Sequence, residues 1–383
     1  MFGAIFFHLL QTRLKTNSKV SPPASIGLRK IAGAWVLCAG LVLAGSARVL
    51  AQHYEQTNLV SDVPGLAAIT DPNLVNPWGL AASSASPWWV ADNGTGVSTL
   101  YTGAGQKVNL TVTVPPPLGG TPPSAPTGIV FNSRPADFGG GRFIFVTEEG
   151  TISAWSTGTL AVLKFTSPTE AIYKGATIAE VNGVNFLYVA NFFNGSVDVF
   201  DTSFAPAPTP PGAFTDPQIP AGYAPFNVQN IGGHIFVGFA KQDEEKEDEI
   251  AGRKLGFVDE FDANGVLIRR FEHGPWMNAP WGLALAPEGF GKASGRLLVG
   301  MFGSGQVATF DATTGEFEGL LRDHGHPIEI EGLWALAFGN DGAAGPKTTL
   351  FFTAGIDDEA HGLFGTITPI PKHGDDEDDE DDG

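Results

Sequence analysis

Asn76-Pro77-Trp78-Gly79-Leu80-Ala81 and Ala279-Pro280-Trp281-Gly282-Leu283-Ala284 are near copies of one phrase in distant parts of the chain. Self-similarity of this kind is the signature of a repeat architecture. Looser versions stand between and beyond them: Pro126-Thr127-Gly128-Ile129, Tyr173-Lys174-Gly175-Ala176, Pro225-Phe226-Asn227-Val228 and Leu333-Trp334-Ala335-Leu336. Taking the third residue of each as an anchor gives positions 79, 128, 175, 227, 282 and 335, spaced by 49, 47, 52, 55 and 53 residues. Six anchors imply six units.

Each anchor opens a short strand of small apolar residues. A continuously apolar stretch follows at 88–91, 143–147, 187–190, 235–238, 297–300 and 350–354, as expected of strands covered on both faces. A third stretch alternates and ends in an aromatic residue at 97–101, 152–155, 197–200, 257–261 and 307–310. Repeated small sheets of this kind predict an all-β, six-bladed β-propeller of four-stranded antiparallel blades. The last unit ends at Pro369 without a fourth strand, and an orphan strand at 57–61 precedes the first. The orphan is expected to close the ring, since an open ring leaves an unpaired edge. Residues 205–225, rich in Pro and Gly, predict a long connection between the third and fourth units.

Composition agrees. The 383 residues include 50 Gly and 28 Pro with only 16% charged residues, which favours many turns between short strands. Residues 1–51 carry six basic residues and no acid; the basic pair Arg29-Lys30, the apolar run at 31–45 and the segment 46–51 ending in Ala51 have the zones of a secretion signal. Cleavage is expected after Ala51, leaving a secreted or periplasmic protein with no membrane span in its mature chain; an uncleaved anchor is the alternative. The single cysteine, Cys38, lies in the apolar run, so the mature chain has neither a disulfide nor a thiolate. Loss of the six positive charges takes the net charge from -19 to -25, which disfavours nucleic acid and favours divalent cations or basic partners. The domain reading is a leader at 1–51, a propeller at 52–370 and a disordered tail at 371–383 whose run of acids at 375–382 offers nothing to bury. A monomer is expected.

Several phrases together carry a resemblance: the two quoted first, Trp89-Val90-Ala91-Asp92-Asn93, Phe214-Thr215-Asp216-Pro217, Tyr223-Ala224-Pro225-Phe226-Asn227, Leu298-Val299-Gly300 and Glu331-Gly332-Leu333-Trp334-Ala335-Leu336. Over residues 54–369 the chain resembles a family of uncharacterised secreted bacterial β-propeller proteins, some of which end in a PEP-CTERM sorting tail. The resemblance implies the fold and no particular activity. This sequence departs from the sorted members, having no Pro-Glu-Pro signal, final apolar helix or terminal arginines, so surface sorting by that route is not expected. In architecture alone it is similar to gluconolactonase-like enzymes and NHL-repeat binding domains, an analogy that carries no mechanism.

In a propeller, the loops from second to third strands share one face around the channel. Here they carry Asp92, Asn93, Glu148, Asn191, Asp357, Glu359 and His361. Oxygen donors from several blades are what a calcium ion takes, and Asp92, Glu148, Asn191 and Asp357 are the candidate ligands; Asp-Asn-Gly and Asn-Gly are equally turn-formers. Trp78, Trp281 and Trp334, at matching positions, either line a binding mouth or wedge between the blades, and Asn227, at an anchor position, is a further candidate for the ligand face. With no Gly-x-Ser-x-Gly elbow, His-Glu-x-x-His helix or phosphate-binding glycine loop, the expected function is binding of a small molecule, glycan or protein, or scaffolding, on an acidic face. The alternative is a metal-dependent hydrolase of the lactonase type, with the same four residues around one ion.

Overall fold

The computed structural model describes residues 53–370. The leader, its cleavage point and the acidic tail lie outside the described residues.

Six antiparallel sheets form the ring. Blade 1 comprises Pro77–Ala81, Trp88–Asp92, Val97–Tyr101 and Lys107–Thr113; blade 2 Pro126–Phe131, Phe143–Thr147, Thr151–Trp155 and Val162–Thr166. Blade 3 has Tyr173–Val181, Val184–Asn191 and Ser196–Phe200. Blade 4 has Tyr223–Ile231, His234–Lys241, Gly256–Phe261 and Leu267–Arg270, and blade 5 Pro280–Leu285, Arg296–Met301, Val307–Asp311 and Phe317–Leu320. Blade 6 has Leu333–Phe338, Leu350–Ile356 and His361–Pro369, with the N-terminal strand Tyr54–Ser61 as its fourth. That strand runs antiparallel to His361–Pro369 from Tyr54 opposite Pro369 to Ser61 opposite Leu363. The predicted closure is therefore present and three residues longer than expected.

Blade 3 departs from four strands. Its outer position holds a single bridge, Phe200 to Pro206, supported by Ala207 N–H donating to Val199 O at 2.8 Å. The prolines at 206, 208, 210 and 211 have no N–H to donate, so the segment cannot extend into a ladder.

Burial follows the ring. Six of the apolar clusters among the described residues each bridge two neighbouring blades, such as Trp89 and Leu100 of blade 1 against Phe143 and Phe145 of blade 2, or Val60 and Phe364 of blade 6 against Trp88 and Val90 of blade 1. A further cluster fills the axis. The anchors explain how the inner strands come so close: a Cβ on Gly128 would stand 2.6 Å from Ala176 N, and one on Gly282 2.7 Å from Trp334 O. Any side chain there would push neighbouring inner strands apart.

Candidate functional site

In every blade the pairing of first and second strands shifts register at the anchor: between Pro77 and Leu80, Pro126 and Ile129, Tyr173 and Gly175, Pro225 and Asn227, Pro280 and Gly282, and Leu333 and Leu336. Such a bulge re-aims a side chain. The residues just before the anchors are Trp78, Thr127, Lys174, Phe226, Trp281 and Trp334, and all six are buried. They meet across the ring. Trp78 stacks on Trp334 at 3.5 Å and meets Trp281 edge-on at 6.2 Å; Phe226 lies 5.7 Å from Trp334, which also stacks on Phe302 at 4.1 Å. The three tryptophans thus plug the axis. Asn227 ties the plug to the next blade, its Nδ2 donating to Trp281 O at 2.8 Å.

Lys174 is the one cation in this layer. Its side chain is 1% exposed, its Nζ sits 5.0 Å from the Trp78 ring centre, and it donates to Glu148 Oε1 at 2.6 Å and Asp248 Oδ1 at 3.0 Å. Burial pulls the ammonium toward losing its proton, but Glu148, Asp248 and Glu249 outweigh this and hold its pKa above the ordinary value. From Glu148 a polar network runs back around the mouth. Asn93 Nδ2 donates to Glu148 Oε2 at 3.0 Å, and Asn76 Nδ2 donates to Asn93 Oδ1 at 3.4 Å and to Glu359 Oε2 at 2.6 Å. Trp334 Nε1 closes it on Asn76 Oδ1 at 3.1 Å. Blades 6, 1, 2, 3 and 4 thereby contribute to one rim.

The rim holds more acid than base. Burial pushes Glu249 up to about 8, against the pull of Lys174, with Glu359 and Asp248 adding to the rise. Burial likewise raises Glu359, which Asn76 opposes and Glu148 assists. Beside Glu359 a cleft of about 600 Å³ opens between blades 5 and 6, walled by Phe302, Ser304, Glu329, Glu331, Asp358 and Glu359, with no Lys or Arg among its lining residues. Asp357, Asp358 and Glu359 take φ of 57°, 50° and 65°, three successive left-handed residues without a glycine. Backbone of this kind is sparsely populated and tends to occur where a site is being shaped.

The four residues considered as calcium ligands each have other company. Asp92 is fully buried, with Oδ2 accepting from Thr99 N and Oγ1 at 2.9 and 2.8 Å, and burial raises its pKa well above the carboxylate range. Asn191 donates to Asp198 Oδ2 at 2.8 Å, Glu148 holds Lys174, and Asp357 is 79% exposed, 4.0 Å from His361. His361 itself pairs with Asp62 at 2.7 Å beside the closing strand, which raises its pKa. Among the described residues, no three His, Cys, Asp or Glu side chains are grouped to hold a metal ion. The structure therefore brings together Asn93, Glu148 and Glu359 of the residues singled out, and adds Asn76, Lys174, Asp248 and Glu249. Lys174 was within reach of sequence reasoning, because it occupies the register of the three tryptophans.

Over 332 residues the sequence is 32% identical to uncharacterised protein R648 of Acanthamoeba polyphaga mimivirus, covering 81% of this chain and 78% of that one. The chain belongs to the R648 family. A second member, uncharacterised protein L690 of the same virus, is 31% identical over 334 residues, covering 81% of this chain and 84% of its own length. These relatives are viral, so they bear out an uncharacterised family without bearing on the bacterial, secreted origin expected from the sequence. No family model matches. Among solved structures, a streptogramin B lyase is similar at TM-score 0.50 and 13% identity, covering 83% of this chain and 98% of that one. A protein of unknown function from Bacteroides thetaiotaomicron is similar at TM-score 0.54 and 11% identity, covering 84% and 76%. At such identities the likeness of the R648 family to both concerns the fold alone.

Proposed function

We propose that this protein is a ligand-binding propeller whose loop face takes a small organic cation. The observation that carries the reading is the cleft beside Glu359: four carboxylates and the Phe302 ring on its wall, no fixed cation, and the aromatic plug beneath it. The plug makes the cleft a blind site rather than a passage. An amine or guanidinium suits it, since carboxylates supply charge-assisted hydrogen bonds and an aromatic face attracts a cation. Lys174 already neutralises the Glu148 and Asp248 side of the rim, which leaves the excess negative charge on the blade 5 and 6 side.

The test is titration with spermidine, arginine amide and calcium in about 150 mM salt, where diffuse attraction to an acidic surface is screened. Binding of an organic cation by calorimetry, weakened at least tenfold in Glu331→Gln and Glu359→Gln, is the expected result. Binding of calcium alone would transfer the site to the hard-cation reading, and no saturable binding of any of the three would end it.

A further inference from the structure

One surface of this acidic molecule is basic. Tyr54, Lys292, Arg296, Glu318 and Arg322 line a cleft of about 550 Å³ at the outer edge of blade 5. Arg322 also borders a second cleft, of about 470 Å³, with Arg253, Trp276 and Phe317 on its wall, so the basic groove is a pair of clefts that adjoin at Gly319, Leu320 and Arg322. Glu318 takes up Arg296. Among the described residues, no carboxylate lies within the 4.0 Å of an ion pair from Lys292, Arg322 or Arg253, all three exposed; Arg322 donates instead to Gly325 O at 2.7 Å. A groove with four cations is at odds with a chain whose formal charge is -19.

The described chain ends beside this groove. Ile370 N–H donates to His53 O at 2.8 Å, and the His53 ring stacks on His324 at 5.1 Å, two residues from Arg322. Tyr54, opposite Pro369 in the closing ladder, reaches the other wall, accepting from Ala293 N and donating to Phe290 O at 3.0 Å each. Beyond Ile370 the sequence continues Pro371-Lys372-His373-Gly374 and then eight acids, Asp375 to Asp382. Five residues carry the chain from Ile370 to Asp375, a reach of up to roughly 17 Å at about 3.4 Å per residue.

We propose that the acidic segment 375–382 docks in its own molecule's groove, against Lys292, Arg322 and Arg253. Two facts select this occupant: the opposite charge of groove and segment, and the point at which the chain leaves the ring. The contact is electrostatic and therefore salt-labile. The reading is independent of the cation cleft, which lies on the loop face.

Zero-length carbodiimide cross-linking of the full chain, read by peptide mass spectrometry, tests it. Bonds joining Lys292 to an acid of 375–382 should exceed those to Lys347, an exposed lysine elsewhere, at least tenfold in low salt, and fall toward parity in about 0.5 M sodium chloride. Arg322→Gln, on an exposed side chain, should reduce them several-fold without altering the fold. Mixing isotopically light and heavy chains separates self-docking from exchange: mixed-isotope cross-links in quantity would mean that the segment docks on a second copy and would overturn the proposal. Equal labelling of Lys292 and Lys347 in low salt would overturn it as well.

Discussion

Asp259 offers a direct test of how the outer layer of blade 4 is held. It lies on Gly256–Phe261, opposite Val237 on one side and Arg270 on the other, and is 2% exposed. Arg270 is committed to Asp216, with Nη2 to Oδ1 at 2.7 Å, and Asp259 Oδ2 has no hydrogen-bond donor. Burial first, then the Asp216 charge, push Asp259 up to about 8, against the pull of Arg270. Its folded pKa lies above its unfolded value, so the proton is held in the folded state and released on unfolding. The stability this contributes is complete below the unfolded pKa near 3.8 and is lost as pH rises toward 8. At about 1.4 kcal/mol per unit, the four-unit window corresponds to an upper figure of about 6 kcal/mol. Asp259→Asn keeps the shape, supplies an N–H for Asp216 and cannot ionise. Urea unfolding of both proteins from pH 5 to pH 8 should show the variant gaining on the parent by about 3 to 4 kcal/mol across that range, with other titrating groups cancelling in the difference. A difference independent of pH over this range would show that Asp259 ionises normally in the folded protein, and the reasoning would fail.

Two more outcomes are expected. Removing residues 53–62 strips Tyr54 and Val60 from the core and bares the edge of His361–Pro369; the two side chains alone account for about 3 to 6 kcal/mol, and light scattering should detect aggregation through the open edge. A monomer that melts like the parent would refute ring closure as a source of stability. Lys174→Met removes the cation that lowers the Glu249 and Glu359 pKa values. Both carboxyls should then titrate higher, so the variant should lose about 1 to 3 kcal/mol at pH 8 and less at pH 5; an equal loss at both pH values in denaturant melts would contradict the electrostatic role.

The ring was legible because its demands recur. Crowding at the axis selects Gly at 79, 128, 175 and 282; strands covered on both faces are apolar, so Phe143–Thr147 falls where expected, and alternation ending in an aromatic places Val97–Tyr101. Closure was legible from one surplus strand and one missing strand. The thinning of blade 3 was legible only as a proline-rich connection, since which ladder it fails to complete is a tertiary matter. The site was harder to read. Loop position indicates the face on which a residue lies but not where its side chain turns: Asp92 and Asn191 both end second strands, and both turn inward to a neighbour in their own blade, Thr99 and Asp198. Lys174 was overlooked because a lysine within an apolar strand is ordinarily taken for an exposed side chain, although its register matches the three tryptophans and the bulge at Gly175 turns it to the axis as theirs does. Glu249 and Glu359 owe their raised pKa values first to burial and then to charges on other blades, a relation that sequence separation conceals.

Pairing of Tyr54–Ser61 with His361–Pro369 also sets an order of events during biosynthesis. The first strand of the ring to leave the ribosome is the last to find its partner, which exists only once residues 361–369 have been made. Blades 1 to 5 are each local in sequence and can form as they emerge, whereas blade 6 requires a contact across more than three hundred residues, the kind that slows folding. The same pairing leaves His53 and Ile370 in hydrogen-bond contact. A short peptide could therefore join these two positions while new ends are opened in a turn between two other blades. In such a circular permutant blade 6 would become local and its assembly would no longer wait for the end of synthesis.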